Sequence, residues 1–224
     1  PFKPENNAIY PIGKTENKKL YNIVEEITIA SGMSKIPKIY IWDTEVLNAY
    51  ACGLSPKNAS VVVSKKLLEI LSRDELQGVI AHEISHIINR DTTYLLCSGI
   101  MLATASAFTT SLYSSFKGKR RASKTDFIIM LMLLISLIGQ GICFILFMFI
   151  SRKREYLADA SASVYTRYPK GLADALLKIE QGVYEYRKEE KFNKLINASC
   201  IGPLSKDDIN CDFFSTHPST QNRI

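Results

Sequence analysis

Within the run V-I-A-H-E-I-S-H-I-I-N-R-D at residues 79–91, three residues have the types and spacing to do chemistry together. His82 and His86 are four apart, so a helix sets them on one face, a turn apart. Two imidazoles held that way bind one zinc ion. Glu83 lies beside the first and reaches a water on that ion. In H-E-x-x-H sites zinc lowers the water's pKa and the glutamate takes its proton. The pair accounts for two of the three histidines in the chain. The plainer alternative is two hydrogen-bonded histidines on a buried helix. Ahead of them S-R-D-E at 72–75 spells a capping box, with Ser72 capping the helix and Glu75 reaching back. The motif therefore falls on a helix, as the chemistry requires.

A catalytic zinc takes a third protein ligand and leaves a fourth position open. No third histidine follows closely, and R-E-Y-L-A-D at 154–159 offers two carboxylates four apart, Glu155 and Asp159. Glu155 would ligate, and Asp159 would hydrogen-bond a ligand imidazole. Spacing alone fits a solvated acidic helix face equally well. Asp91 is a weaker candidate for the same supporting role, and an exposed helix end accounts for it too.

The elements that must position these residues are legible in outline. Residues 17–31 read as an amphipathic helix with Leu20, Ile23, Val24, Ile27 and Ile29 on its apolar face, ended by Gly32. Residues 38–42, 48–52 and 59–64 read as strands, with a G-L-S-P-K-N turn between the last two, giving a small antiparallel sheet of about three strands. A short helix at 65–71 precedes the motif helix. Residues 152–167 and 171–191 are helical, and the tail from Asn193 is irregular. The β-branched Val61, Val62 and Val63 are expected to form an exposed edge that binds substrate backbone as an added strand. An ordinary core strand is the alternative.

Two stretches, 92–116 and 127–151, carry no charged residue. Crossing a bilayer core takes about 20 apolar residues in a helix, so membrane segments are expected at about 94–116 and 127–150. A hairpin buried in a soluble core is the competing reading. The organisation is then 1–91, with the metal helix; 92–151, with the two hydrophobic segments; and 152–224, with the third ligand. The loop at 117–124 holds five basic residues, which the positive-inside rule would put in the cytoplasm. Arg90, Arg152, Lys153, Arg154 and Arg167 flank the outer ends and nearly cancel that bias. The net charge of +6 reflects these flanks. No basic stripe interleaves with aromatics, so nucleic acid is not an expected partner. Five cysteines without C-x-x-C spacing make neither a disulfide framework nor a thiolate metal site, and fit a reducing compartment.

Taken together, N-A-Y-A-C-G at 48–53, D-E-L-Q-G-V-I-A-H-E-I-S-H-I-I-N-R-D at 74–91, R-E-Y-L-A-D-A-S-A at 154–162 and F-S-T-H-P-S-T-Q-N-R-I at 214–224 resemble the HtpX-type membrane zinc metalloproteases, relatives of the CAAX prenyl endopeptidases. The resemblance covers nearly the whole chain. It implies a mainly α zincin-like metallopeptidase domain with a small antiparallel sheet, plus a hydrophobic hairpin. It implies that His82, His86 and Glu155 bind one zinc per chain and that Glu83 is the general base. His217 in S-T-H-P would stabilise the oxyanion of the tetrahedral intermediate, or else cap a surface turn. Arg223 would brace that segment, and Asn48 is a supporting residue or a plain turn residue. The implied substrates are polypeptides, misfolded membrane proteins among them. The implied setting is the bilayer of the cell membrane, crossed more than once, with the catalytic domain in the cytoplasm.

The chain begins at Pro1 rather than Met, and the family usually has two further membrane helices upstream, so a processed or cut chain, or an atypical member, is expected. Tyr50 replaces the commoner phenylalanine, and Gln221 and Asn222 stand where the family often has an acidic pair. Two other functions compete. A CAAX-type processing enzyme needs a large intramembrane chamber, for which the apolar segments are too few. A latent zinc-binding scaffold has no use for Glu83, although His217 as a fourth ligand would close the site. Oligomeric state is left open.

Overall fold

Asn17 caps the first helix, α1 (Lys18–Ala30), its side chain accepting from the Leu20 N–H. Leu20, Ile23, Val24 and Ile27 are buried on one face. Ile29, expected on that face, is 74% exposed. Two residues past Ile27 is about 200° around the helix, so its side chain points away from the core. The chain is described here by a computed structural model covering residues 8–117, 124–189 and Arg223. It divides into two units, residues 1–93 with 152–224, and residues 94–151.

In the first unit the sheet has four strands, β1 (Ile9–Ile12), β2 (Lys38–Trp42), β3 (Ala49–Cys52) and β4 (Ser60–Ser64), in the order β1-β2-β4-β3. The β2–β4 pair is parallel and the other two are antiparallel, so the sheet is mixed rather than antiparallel. Strand β1 contains Pro11, which cannot donate to a ladder and is tolerated because β1 is an edge. Val61, Val62 and Val63 are at most 4% exposed. A run apolar on both faces belongs in the middle of a sheet, and β4 sits between β2 and β3. This corrects the expected role of Val61–Val63. Their backbone is paired on both sides and cannot take an added strand, and the edge beside the metal helix is β3.

Helix α2 (Lys65–Ile70) leads through Leu71 to Ser72, which caps α3 (Arg73–Ile88). The capping box forms: Ser72 Oγ accepts from the Glu75 N–H at 3.3 Å and Glu75 accepts from the Ser72 N–H at 2.8 Å. Helix α3 is buried nearly all round, by α1, the sheet and α6 (Pro169–Glu189). Glu75 also receives Lys178 of α6 at 2.8 Å. Where α3 meets α6 a glycine on each helix permits backbone contact. A Cβ on Gly78 would lie 2.7 Å from the Leu172 nitrogen, and one on Gly171 would lie 2.7 Å from the Asp74 carbonyl. Gly78→Ala should therefore force the helices apart one turn ahead of His82. Overpacking of this kind costs about 1–3 kcal/mol, outweighing the gain in helix propensity of about 1 kcal/mol. A lower midpoint in denaturant would show it, and an unchanged or higher midpoint would refute the close approach.

Helix α4 (Asp91–Lys117) follows α3, and α5 (Lys124–Thr166) is one 43-residue helix. The helix expected at 152 is thus the continuation of the second apolar segment. Both apolar helices are long enough to cross a membrane, and the shares of their apolar windows buried are 6% and 0%. A soluble-core hairpin would bury its apolar face, so that reading is set aside. Within this unit Thr109 and Ser136 hydroxyls meet at 2.6 Å, and Gln140 donates to the Ala105 carbonyl at 3.0 Å. These polar links join two helices that otherwise expose leucine, isoleucine and phenylalanine.

Candidate metal centre

The regular turn of α3 brings the two imidazoles together, with His82 Nε2 3.0 Å from His86 Nε2. The charged end of α5 supplies Glu155, whose carboxylate oxygens lie 3.8 Å from His82 Nε2 and 3.6 Å from His86 Nε2. All three donor groups lie within 4.8 Å of one another. Tetrahedral ligands about 2.1 Å from a cation stand roughly 3.4 Å apart, and these separations bracket that value. The far nitrogens also fit. His82 Nδ1 is 2.9 Å from Asp159 and His86 Nδ1 is 2.5 Å from Asp91. With hydrogens on both Nδ1 atoms, two lone pairs and a carboxylate converge on one point. That set is repulsive alone and is satisfied by a divalent cation.

Each supporting carboxylate has its own arginine. Arg223 donates to Asp159 through Nε at 2.9 Å and Nη2 at 2.7 Å, and its Nη1 is 3.7 Å from Glu155. Arg154 donates to Asp91 and to the Asn89 carbonyl, the latter at 2.7 Å. Burial pushes the Asp159 carboxyl up, but hydrogen bonds from Arg223 and His82 outweigh it and hold it below the usual aspartate range. Burial acts against the Arg223 charge as well, and Asp159 with Glu155 reverses the effect, leaving its pKa raised.

Glu83 is 4% exposed. Burial pushes its carboxyl above the ordinary value, with His82 and His86 drawing it partly back and Glu155 adding to the rise. It accepts a hydrogen bond from the Ala51 backbone on β3, so base and sheet edge are joined directly.

The sequence-based site therefore divides. His82, Glu83, His86, Glu155, Asp159 and Arg223 are brought together. Asn48, 1% exposed, precedes β3; its N–H donates to Ser64 Oγ and its carbonyl accepts from the Ser64 N–H. Val61–Val63 lie in the sheet interior, and His217 lies outside the described residues. Arg154 was missed, and no local signal could have found it, because its partner Asp91 is 63 residues away. Asp91 was undervalued as an exposed helix end, whereas it is 6% exposed.

The model of peptidase family M48 matches residues 14–224. The chain belongs to peptidase family M48. Among M48 relatives, it is 40% identical over 213 residues to the protease HtpX homolog of Dictyoglomus turgidum, covering 94% of this chain and 69% of that protein. With the protease HtpX homolog of Bacteroides fragilis it shares 36% identity over 225 residues, 96% of this chain and 69% of that one. The crystal structure of S. mikatae Ste24p has the same fold, with a TM-score of 0.59 at 23% identity. That match covers 97% of this chain and about half, 51%, of Ste24p. The M48 family, the metal-ligand cluster and the two unburied apolar helices together make this protein a membrane metallopeptidase, which acts on polypeptides.

Proposed function

We propose that this M48 protein is a zinc-dependent endopeptidase that hydrolyses peptide bonds within misfolded or damaged membrane proteins, with one zinc per chain. The observation that carries the reading is the convergence of His82, His86 and Glu155 beside a buried Glu83 that is not one of the converging donors. Two imidazoles and one carboxylate favour zinc over magnesium or calcium, which prefer all-oxygen sites. Zinc in such a site polarises a carbonyl and lowers the pKa of water.

The chain's own residues divide the rest of the work. Glu83 takes the proton of the attacking water and delivers it to the leaving amine. His82 and His86 are held by Asp159 and Asp91. His217 donates to the developing oxyanion, Arg223 braces the segment that carries it, and Asn48 supports the start of β3. The protein resides in the cell membrane, crosses it with both apolar helices, and keeps its catalytic unit in the cytoplasm. Support for that side comes from the resemblance, since the basic residues of the 117–124 loop and those flanking the outer helix ends nearly cancel.

The edge strand β3 takes the substrate backbone. Asn48 receives the Ser64 N–H, so in the antiparallel register Ala49 and Ala51 turn their N–H and C=O groups away from β4. A peptide lying along β3 passes Glu83 at Ala51, whose N–H Glu83 holds, so the strand pairs with Ala49 and with the Ala51 carbonyl. A series of peptides N-methylated one position at a time tests this. Methylation at alternate positions should raise KM at least tenfold, with little effect between. Uniform tolerance along the peptide would contradict strand addition.

A further inference from the structure

Two residues that neither ligate nor act as base meet at His86. Asp91 Oδ2 accepts from His86 Nδ1 at 2.5 Å, and Asp91 Oδ1 accepts from Arg154 Nη2. The same Nη2 donates to the carbonyl of Asn89, which caps the C-terminus of α3. One guanidinium thus grips both sides of the turn that follows the metal helix. Between them Arg90 has φ +55, a conformation unfavourable for a residue with a Cβ. The grip holds the chain in it, and so returns Asp91 to the helix it has just left.

The two histidines differ in how much help they need. The His82 side chain is 3% exposed, whereas that of His86 is 18% exposed. Packing alone leaves the outer ring less constrained. Arg154 is also the residue immediately before Glu155, so the side chain that fixes Asp91 and the backbone that carries the third ligand belong to the same helical turn of α5.

We propose that Arg154 and Asp91 form a positioning relay for His86. Asp91 keeps the hydrogen on Nδ1, so that Nε2 presents its lone pair to the cation. Arg154 fixes Asp91 and the Asn89–Asp91 turn, and ties the placement of His86 to that of Glu155. The relay rests on the metal reading above and adds Arg154 to it.

The test is zinc affinity by chelator competition on the purified chain in detergent, with the visible spectrum of the cobalt-substituted protein beside it. Asp91→Asn is nearly isosteric but offers one acceptor oxygen to two donors, so it breaks one link. It should weaken zinc binding 10–100-fold, the usual effect of losing a ligand's hydrogen-bond partner, and change the cobalt bands. Arg154→Met should do the same, and Arg154→Lys should fall between it and the wild type. The double variant Asp91→Asn/Arg154→Met should be little worse than the poorer single one, since the residues act in series. Imidazole ¹⁵N shifts of the metal-free protein should show one His86 tautomer in the wild type and a mixture in Asp91→Asn. If Arg154→Met does not fold, Asp91→Asn and Arg154→Lys decide the matter. Wild-type zinc affinity and cobalt spectrum in folded variants would overturn the relay while leaving the metal site intact. A wild type that binds neither zinc nor cobalt would overturn both.

Discussion

Glu83→Gln should yield a folded protein that keeps its metal and hydrolyses peptides about 10²–10⁴-fold more slowly, the usual worth of a positioned general base. Glutamine has nearly the same shape, fits the same buried site, and still accepts from the Ala51 N–H through its side-chain carbonyl. Only the ability to take a proton is lost. The ligand set His82, His86 and Glu155 is untouched, so metal content should match the wild type. Initial rates on one peptide at equal metal loading measure the effect. Cleavage within a fewfold of the wild type would assign the base to another group.

The second large effect concerns stability. The Arg223 side chain is fully buried, and its two short hydrogen bonds go to Asp159. Asp159→Asn replaces the carboxylate that takes both of these bonds with a neutral amide, while Glu155 stays 3.7 Å from the guanidinium. Removing one partner of a buried ion pair costs about 3–5 kcal/mol, because the other charge stays desolvated. The pH dependence has a definite sign. Burial raises the Asp159 pKa and Arg223 with His82 lowers it further, so the folded value lies below the unfolded one. The unfolded chain then binds more protons as the pH falls. The contribution of Asp159 is fully present above the ordinary aspartate pKa of about 3.9, and is lost as the pH drops through its depressed folded value. Denaturant unfolding should therefore show a constant gap between wild type and Asp159→Asn from pH 8 to 5. The gap should narrow below about pH 4. A gap of equal size at pH 3 would mean that charge is not what Asp159 contributes.

Local patterns in the sequence were enough for much of this. The capping box at Ser72 and Glu75 set the start of α3, and the four-residue interval set His82 over His86. β2 and β4 are visible as β-branched and aromatic runs, and β3 by the Gly-Pro-Asn turn that follows it. What local pattern does not contain is which strand lies beside which. Three valines in a row are consistent with an edge or a centre, and only the insertion of β4 between β2 and β3 decides it. Strand β1 was lost because Pro11 argues against a strand unless it is known to be an edge. The Arg154–Asp91 pair was lost for the same reason at side-chain level. The two are separated by the whole hydrophobic hairpin in sequence and meet only through the fold.

Metal content and peptide cleavage, measured together on the wild type and Glu83→Gln in detergent, test the central claim most directly. About one zinc per chain is expected in both proteins, since one cluster of three ligands is present among the described residues, with cleavage in the wild type that is lost in the variant. Wild-type protein that cleaves peptide without bound metal, or that binds zinc only when Glu83 is present, would contradict it.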